Sequence, residues 1–144
     1  MSSARLELCE RHLAELLTHC RREAPNEACG LLSGREGRVT RVWPARNALA
    51  SPTEYLIEPE DQFAAMRAIW AADEELLAIY HSHPATPAYP SPRDIAQAYY
   101  REAAYVIVSL APREEVRAFA IGPQGVTPVE LRIVRGEAQR EEVT

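Results

Sequence analysis

Two continuous apolar runs, "LLAIY" at 76–80 and "VIVSL" at 106–110, constrain the fold more than any other feature. Each is too short for a helix of its own, and neither alternates apolar with polar residues. A short unbroken run of this kind suits a strand buried on both faces, in the middle of a sheet with helices above and below. Between them, "SPRDIAQAYYREA" reads as a helix, so the two runs form a strand–helix–strand unit.

The rest of the chain supplies the sheet's edges and its cover. Over residues 4–23, Leu6, Cys9, Leu13, Leu16, Leu17 and Cys20 fall at the spacings of an amphipathic stripe, which predicts an outer helix. "ACGLLSG" and "RVTRVW", joined by "REG" with Gly34 and Gly37 for the turn, read as a hairpin. "PARNALASPT" is a polar loop, and "TEYLIE" a strand end before Pro59. A second helix is expected over "PEDQFAAMRAIWAADEE", with acidic residues in its first turn and Phe63, Met66, Ile69 and Trp70 on one side. "EVRAFAI" and "VTPVELRIV" read as alternating strands. The expectation is an α/β fold: a mixed sheet flanked by helices in three layers, forming a single domain over 1–134, with a charged, frayed tail at 135–144.

Composition removes several function classes. The chain has 144 residues, 47% of them hydrophobic, and a formal net charge of -5. Nucleic acids and anionic membranes demand a basic face, so neither is an expected partner. Cys9, Cys20 and Cys29 are an odd count without a CxxC pair, which points to a reducing compartment rather than a disulfide framework. The amino terminus has charges scattered through its apolar residues and does not read as a signal peptide, and no run is long enough to span a membrane. A cytoplasmic protein is expected.

Chemistry gathers where the first buried strand ends, in "HSHPATPAYPSPRD" at 81–94. Side chains alternate across a strand, so His81 and His83 project to one face and Ser82 to the other. Two imidazoles so placed suit one metal ion, and Asp94, at the start of the next helix, offers an oxygen. Two histidines, one carboxylate and a water is a common composition for a catalytic zinc centre. "SPRD" is also a capping box with proline at the first helical position, so Ser91 and Asp94 alone could do no more than start a helix. The histidines tip the balance, because ligand sites in α/β sheets lie at the carboxyl ends of strands.

A hydrolytic centre also needs a base for its water. Glu27, in "NEACG", is a candidate, although its spacing alone does not separate it from a solvated loop carboxylate. His12 and His19 lie seven apart, the wrong spacing for a ligand pair on a helix, and read as solvated. Cys29 reads as a small packed thiol, and Tyr99, Tyr100 and Tyr105 as packing residues. GxSxG, a glycine-rich phosphate loop and HExxH are all missing.

This pattern resembles the JAMM, or MPN-plus, metalloprotease signature: a glutamate upstream of His-Ser/Thr-His-Pro, six residues, Ser, two residues, Asp. Here it reads Glu27, "HSHP" at 81–84, "ATPAYP", Ser91, "PR" and Asp94. The likeness runs from about "NEACGLLSG" to "VIVSL", and the flanks "NALASPTEYLIEP" and "PAYPSPRDIAQAYY" are similar to the small bacterial members that act beside ubiquitin-like sulfur-carrier proteins. The resemblance implies a fold like that of cytidine deaminases and one zinc per chain, held by His81, His83 and Asp94. It implies Glu27 as the acid/base and Ser91 as a hydrogen-bond donor to the oxyanion. The implied activity is a zinc peptidase or isopeptidase cutting after the carboxyl-terminal glycine of a carrier with a Gly-Gly tail, a carrier–cysteine adduct being the first guess. A homodimer is left open. The competing readings are a non-catalytic scaffold, which the intact ligand set disfavours, and a RadC-like role in DNA repair, which the acidic charge and Ser82 disfavour.

Overall fold

A computed structural model describes residues 5–135 of the chain. The strands are β1 (Arg5–Cys9), β2 (Cys29–Arg35), β3 (Arg38–Ala45), β4 (Glu75–His83), β5 (Ala104–Ser109), β6 (Glu115–Gly122) and β7 (Gly125–Val134). The helices are α1 (Glu10–Glu23), α2 (Pro59–Ala71) and α3 (Pro92–Ala96). All seven strands share one mixed sheet in the order β1-β3-β2-β4-β5-β6-β7. The two apolar runs lie side by side in its middle as the parallel pair β4 and β5, with Ile79 opposite Tyr105 and His83 opposite Ser109. β2 pairs antiparallel with both β3 and β4, and β6 with β5 and β7. β1 runs parallel to β7 and also touches β3, which closes the sheet on itself.

Each face of β4 looks into its own core. On one side Ala78 and Tyr80 pack with Leu16 and Cys20 of α1, Leu32 and Val106. On the other Ile79 packs with Cys29, Ile107 and Ala65 of α2. Helices thus lie over both faces, and the layered α/β architecture expected from the buried runs holds. Gly30 permits the close packing on the α1 side, because a Cβ there would stand 2.5 Å from the Tyr80 ring and 2.6 Å from the Trp43 carbonyl.

Four local expectations fail for identifiable reasons. The stripe over 4–23 begins as a strand: Leu6 and Leu8 are both buried, two apart, and "RLELC" pairs with β7 before α1 starts at Glu10. Burying a leucine is worth roughly 1.5–3 kcal/mol, and the strand buries two while it closes the sheet. The helix over 91–103 stops after five residues at Ala96. The Tyr105 hydroxyl accepts the Tyr100 N–H at 3.0 Å and takes the place of a helical carbonyl partner. "TEYLIE" contributes only an isolated bridge, Asn47 to Ile57. α2 ends at Ala71 and docks through Ala65 and Ile69, leaving Phe63 63% and Trp70 65% exposed. A small residue at the contact lets the helix approach the sheet, and the aromatic rings are pushed outward. The tail expected at 135–144 lies, apart from Arg135, outside the described residues.

Candidate metal centre

His81 and His83 occupy the last turns of the β4 pleat and face the α2 side, both buried. Asp94 comes to them from the first turn of α3. The cap of that helix is built as the sequence suggests: the Asp94 N–H donates to Ser91 Oγ at 3.0 Å, and Asp94 Oδ2 accepts the Ser91 N–H at 2.9 Å. The capping box and the cluster are one construction, because the oxygen that closes the cap is also the one turned to the histidines.

His81 Nε2 and His83 Nε2 are 3.2 Å apart, and they lie 3.2 Å and 3.0 Å from Asp94 Oδ2. The His83 Nδ1 lies 2.9 Å from the Pro87 carbonyl. A carbonyl only accepts, so Nδ1 carries the proton and Nε2 of the neutral ring presents its lone pair to the cluster. A lone pair facing a carboxylate oxygen at that distance needs positive charge between or upon the groups. Burial pulls His83 down, yet the bonds to Asp94 and Pro87 outweigh it and its pKa is raised. Burial dominates at His81 and lowers its pKa. For Asp94, burial works upward, but the two imidazoles and the Ser91 N–H hold its carboxyl well below the usual range.

A cation fits this arrangement. Bonds of about 2.0–2.1 Å in a tetrahedral shell put ligand atoms roughly 3.3 Å apart, close to the separations here. These three residues form the candidate metal-binding group found among the described residues. Tyr55 stacks on the His81 ring at 4.4 Å and 23°, and Ser82, on the opposite side of β4, accepts the Ala28 N–H at 2.8 Å.

Glu27 lies just before β2 and is only 4% exposed. Burial pushes its pKa up to about 8; His83 opposes the rise, and Asp94 and Glu54 add to it. Its carboxyl therefore feels both ends of the cluster. Its Oε1 is buried without a hydrogen-bond partner, as is His81 Nδ1. Buried polar atoms are almost always paired, so an orphaned carboxyl oxygen here marks a place built for a group the chain itself does not provide. The structure thus brings His81, His83, Asp94 and Ser91 into contact and sets Glu27 within their electrostatic reach.

Other expectations change. His12 and His19 are buried rather than solvated: His12 Nδ1 meets Cys9 Sγ at 3.3 Å and His19 Nδ1 meets the Tyr80 hydroxyl at 2.7 Å. Cys29 is fully buried with its thiol pushed up to about 12 by burial, which keeps it protonated and inert. Its Sγ donates to the Arg46 carbonyl at 3.6 Å. All three cysteines are free. Two residues at the site gave no sequence signal of their own as site residues, Tyr55 and Asn47. The turn chemistry of an asparagine in a polar loop was the one hint of the second.

Fold and site together define a mixed-sheet α/β domain with two histidines and one carboxylate grouped as a candidate cation centre and a buried acid within their electrostatic reach. The profile of the prokaryotic homologs of the JAB domain matches residues 9–122, and the chain belongs to that family, so the JAMM resemblance stands. The chain is 42% identical over 123 residues to the CysO-cysteine peptidase of Mycobacterium tuberculosis, covering 83% of this chain and 84% of that one. It is 46% identical over 114 residues to a probable TtuB-protein conjugate cleaving protease of Thermus thermophilus, covering 78% and 73%. The solution structure of protein DSY2949 from Desulfitobacterium hafniense matches with a TM-score of 0.84 at 36% identity, over 91% of this chain and 94% of that one.

Proposed function

We propose that this chain is a zinc-dependent peptidase that hydrolyses the bond after the carboxyl-terminal glycine of a ubiquitin-like sulfur-carrier protein, a carrier–cysteine adduct first among its substrates. The observation that carries the reading is the convergence of three ligand atoms beside an acid whose buried oxygen has no partner. The likeness to a CysO-cysteine peptidase and to a conjugate-cleaving protease supports the substrate class. One zinc per chain would be held by His81, His83 and Asp94, and when bound it would supply a Lewis acid and an acidified water for attack on an amide.

The chain's own residues do the remaining work. Glu27 accepts a proton of the attacking water and returns it to the leaving amine, and the hydroxyl proton left on the new carboxylic acid follows, so water and amide become a carboxylate and a protonated amine. Burial raises its basicity, pushing its pKa up to about 8, which suits a group that takes up a proton near neutral pH. Ser91 has a use for each part of its hydroxyl. The oxygen accepts from the Asp94 N–H, and the O–H remains free to donate to an oxyanion. His83, oriented by the Pro87 carbonyl, and His81, braced by Tyr55, keep their Nε2 atoms turned to the centre.

Only residues 95–103 separate Asp94 from β5, too short a stretch for an insertion that would grip the second member of a ubiquitin chain. The enzyme should therefore read the carrier and its extended Gly-Gly tail and tolerate a small leaving group. Buried free thiols fit a reducing, cytoplasmic compartment, and among the described residues no helix is long and apolar enough to cross a membrane. Mass spectrometry of a carrier–cysteine adduct and of linked diubiquitin, each incubated with wild type and Glu27→Gln, tests the reading. Zinc-dependent release of cysteine with diubiquitin left intact is expected. Efficient diubiquitin cleavage with an untouched adduct would overturn the substrate.

A further inference from the structure

Glu27 stands two residues before the first residue of β2, so the sheet ladder does not reach its main-chain N–H and C=O. Buried backbone groups need partners, and the loop at 47–57 provides both. The Glu27 N–H donates to the Ser51 carbonyl at 2.8 Å, and the Glu27 carbonyl accepts from Asn47 Nδ2 at 3.0 Å. Asn47 Nδ2 also donates to the Glu54 carbonyl at 3.0 Å. Asn47 Oδ1 accepts the N–H groups of Leu49 and Leu56 at 3.0 and 3.1 Å. A side-chain amide has two donors and two acceptor lone pairs. All four are used here, every one on main chain.

The loop that Asn47 closes reaches the rest of the centre as well. Tyr55 from it stacks on His81, and Glu54 pairs with Arg93, the neighbour of Asp94, at 3.0 Å. Since Oε1 of Glu27 has no hydrogen bond to aim it, the main chain sets where the carboxyl points. We infer that Asn47 is a positioning residue for Glu27, fixing the main chain of the proton carrier and coupling it to the loop that braces His81. The inference rests on Glu27 being that carrier.

Asn47→Ala removes all four bonds, and Asn47→Asp keeps the acceptors but puts an oxygen against the Glu27 and Glu54 carbonyls. In each, turnover should fall roughly 10- to 100-fold, since misplacing a reacting group by about 1 Å costs that much, while KM and zinc content stay near wild type. Amide hydrogen exchange should quicken at Glu27, Leu49 and Leu56 and remain unchanged in β4 and β5. In the Glu27→Gln background the Asn47 substitutions should add little further loss, because the two act through one group. Wild-type turnover in both variants, a full additional loss in the Glu27→Gln background, or uniformly faster exchange or loss of fold in both would overturn the inference. A fully active Glu27→Gln is a different failure: it removes Glu27 as the proton carrier, while the local exchange pattern still reports whether Asn47 holds its main chain.

Discussion

Tyr80 and Ser82 leave β4 on one face, His81 and His83 on the other, and the two faces treat buried polar groups in opposite ways. On the α1 side His19 and Tyr80 share a hydrogen bond at 2.7 Å. Ser82 Oγ accepts from Ala28, and the Ser82 N–H donates to the Ala28 carbonyl at 3.0 Å. On the α2 side three ligand atoms crowd within hydrogen-bond distance, and Glu27 Oε1 and His81 Nδ1 go without partners. Both clusters are buried, both contain histidine, and they sit on neighbouring residues of one strand. A satisfied network holds a fold together; an unsatisfied one costs stability and persists where a ligand completes it.

The largest effect should come from breaking the incomplete cluster. His81→Ala and His83→Ala should each reduce zinc, measured by elemental analysis of protein purified without added metal, from about one per chain to about none. Peptidase activity should vanish with it. Equally little zinc in wild type and in both variants would leave only the capping role for Ser91 and Asp94.

Glu27→Gln comes next, and it separates base from ligand. Turnover should drop on the order of 100-fold or more with zinc retained. Stability should move the other way. In the metal-free protein burial raises the Glu27 pKa to about 8, so between the ordinary carboxylate value and pH 8 the unfolded chain releases a proton that the folded chain keeps. Stability then falls as pH rises through that window. Denaturant melts of metal-free wild type and Glu27→Gln should diverge from pH 5 to pH 8, the variant gaining. Parallel melts would mean that the carboxyl is not strained by its burial.

Ser91→Ala should be milder in stability than in rate. Loss of the cap costs about 1 kcal/mol, and α3, with only five residues, has few other bonds to spread the loss. Loss of an oxyanion donor should slow turnover by roughly 100-fold with substrate affinity little changed. A thermal shift with unaltered single-turnover rates would restrict Ser91 to capping.

The same contrast explains what the sequence reveals. The central strands were legible because LLAIY and VIVSL are buried on both faces and show it directly. The grouping of His81, His83 and Asp94 was legible because the chemistry of a candidate metal site fixes both residue type and spacing: alternate positions on one strand, and the acid at the third position of a capped helix. The satisfied cluster left no such mark. His12 and His19 sit on α1 among charged residues, and nothing local tells that β1 and Tyr80 will cover them. β1 was hidden because Leu6 and Cys9 fit a helical stripe as well as Leu6 and Leu8 fit a strand, and only pairing with a strand over a hundred residues away decides between them. Phe63 and Trp70 misled for a related reason, since the helix face that docks was selected by the fit of Ala65 and Ile69 against the sheet. The Asn47 amide bonds only to the main chain of its partners, and main-chain partners carry no residue-specific signature.

The smallest effect on activity, and the sharpest test of the contrast, belongs to the satisfied cluster. Tyr80→Phe removes the hydroxyl that meets His19 and should cost about 1–3 kcal/mol by leaving a buried ring nitrogen unpaired. Zinc content and turnover should match wild type, although Tyr80 is the immediate neighbour of His81. His19 gives the pair a pH signature. Burial lowers its pKa below the ordinary 6.5, Glu23 opposing the shift and Arg22 adding to it. The folded chain therefore binds this proton less readily than the unfolded one, and the contribution is complete above about pH 6.5 and is lost as pH falls below it. As pH falls below 6.5, wild type should lose stability more steeply than His19→Gln, which has no imidazole to protonate. Turnover measured at pH 7.5, above that window, should be the same in both proteins. Reduced turnover or zinc in Tyr80→Phe at full folding would mean that the two faces of β4 are coupled, and that the network on the α1 side belongs to the working site.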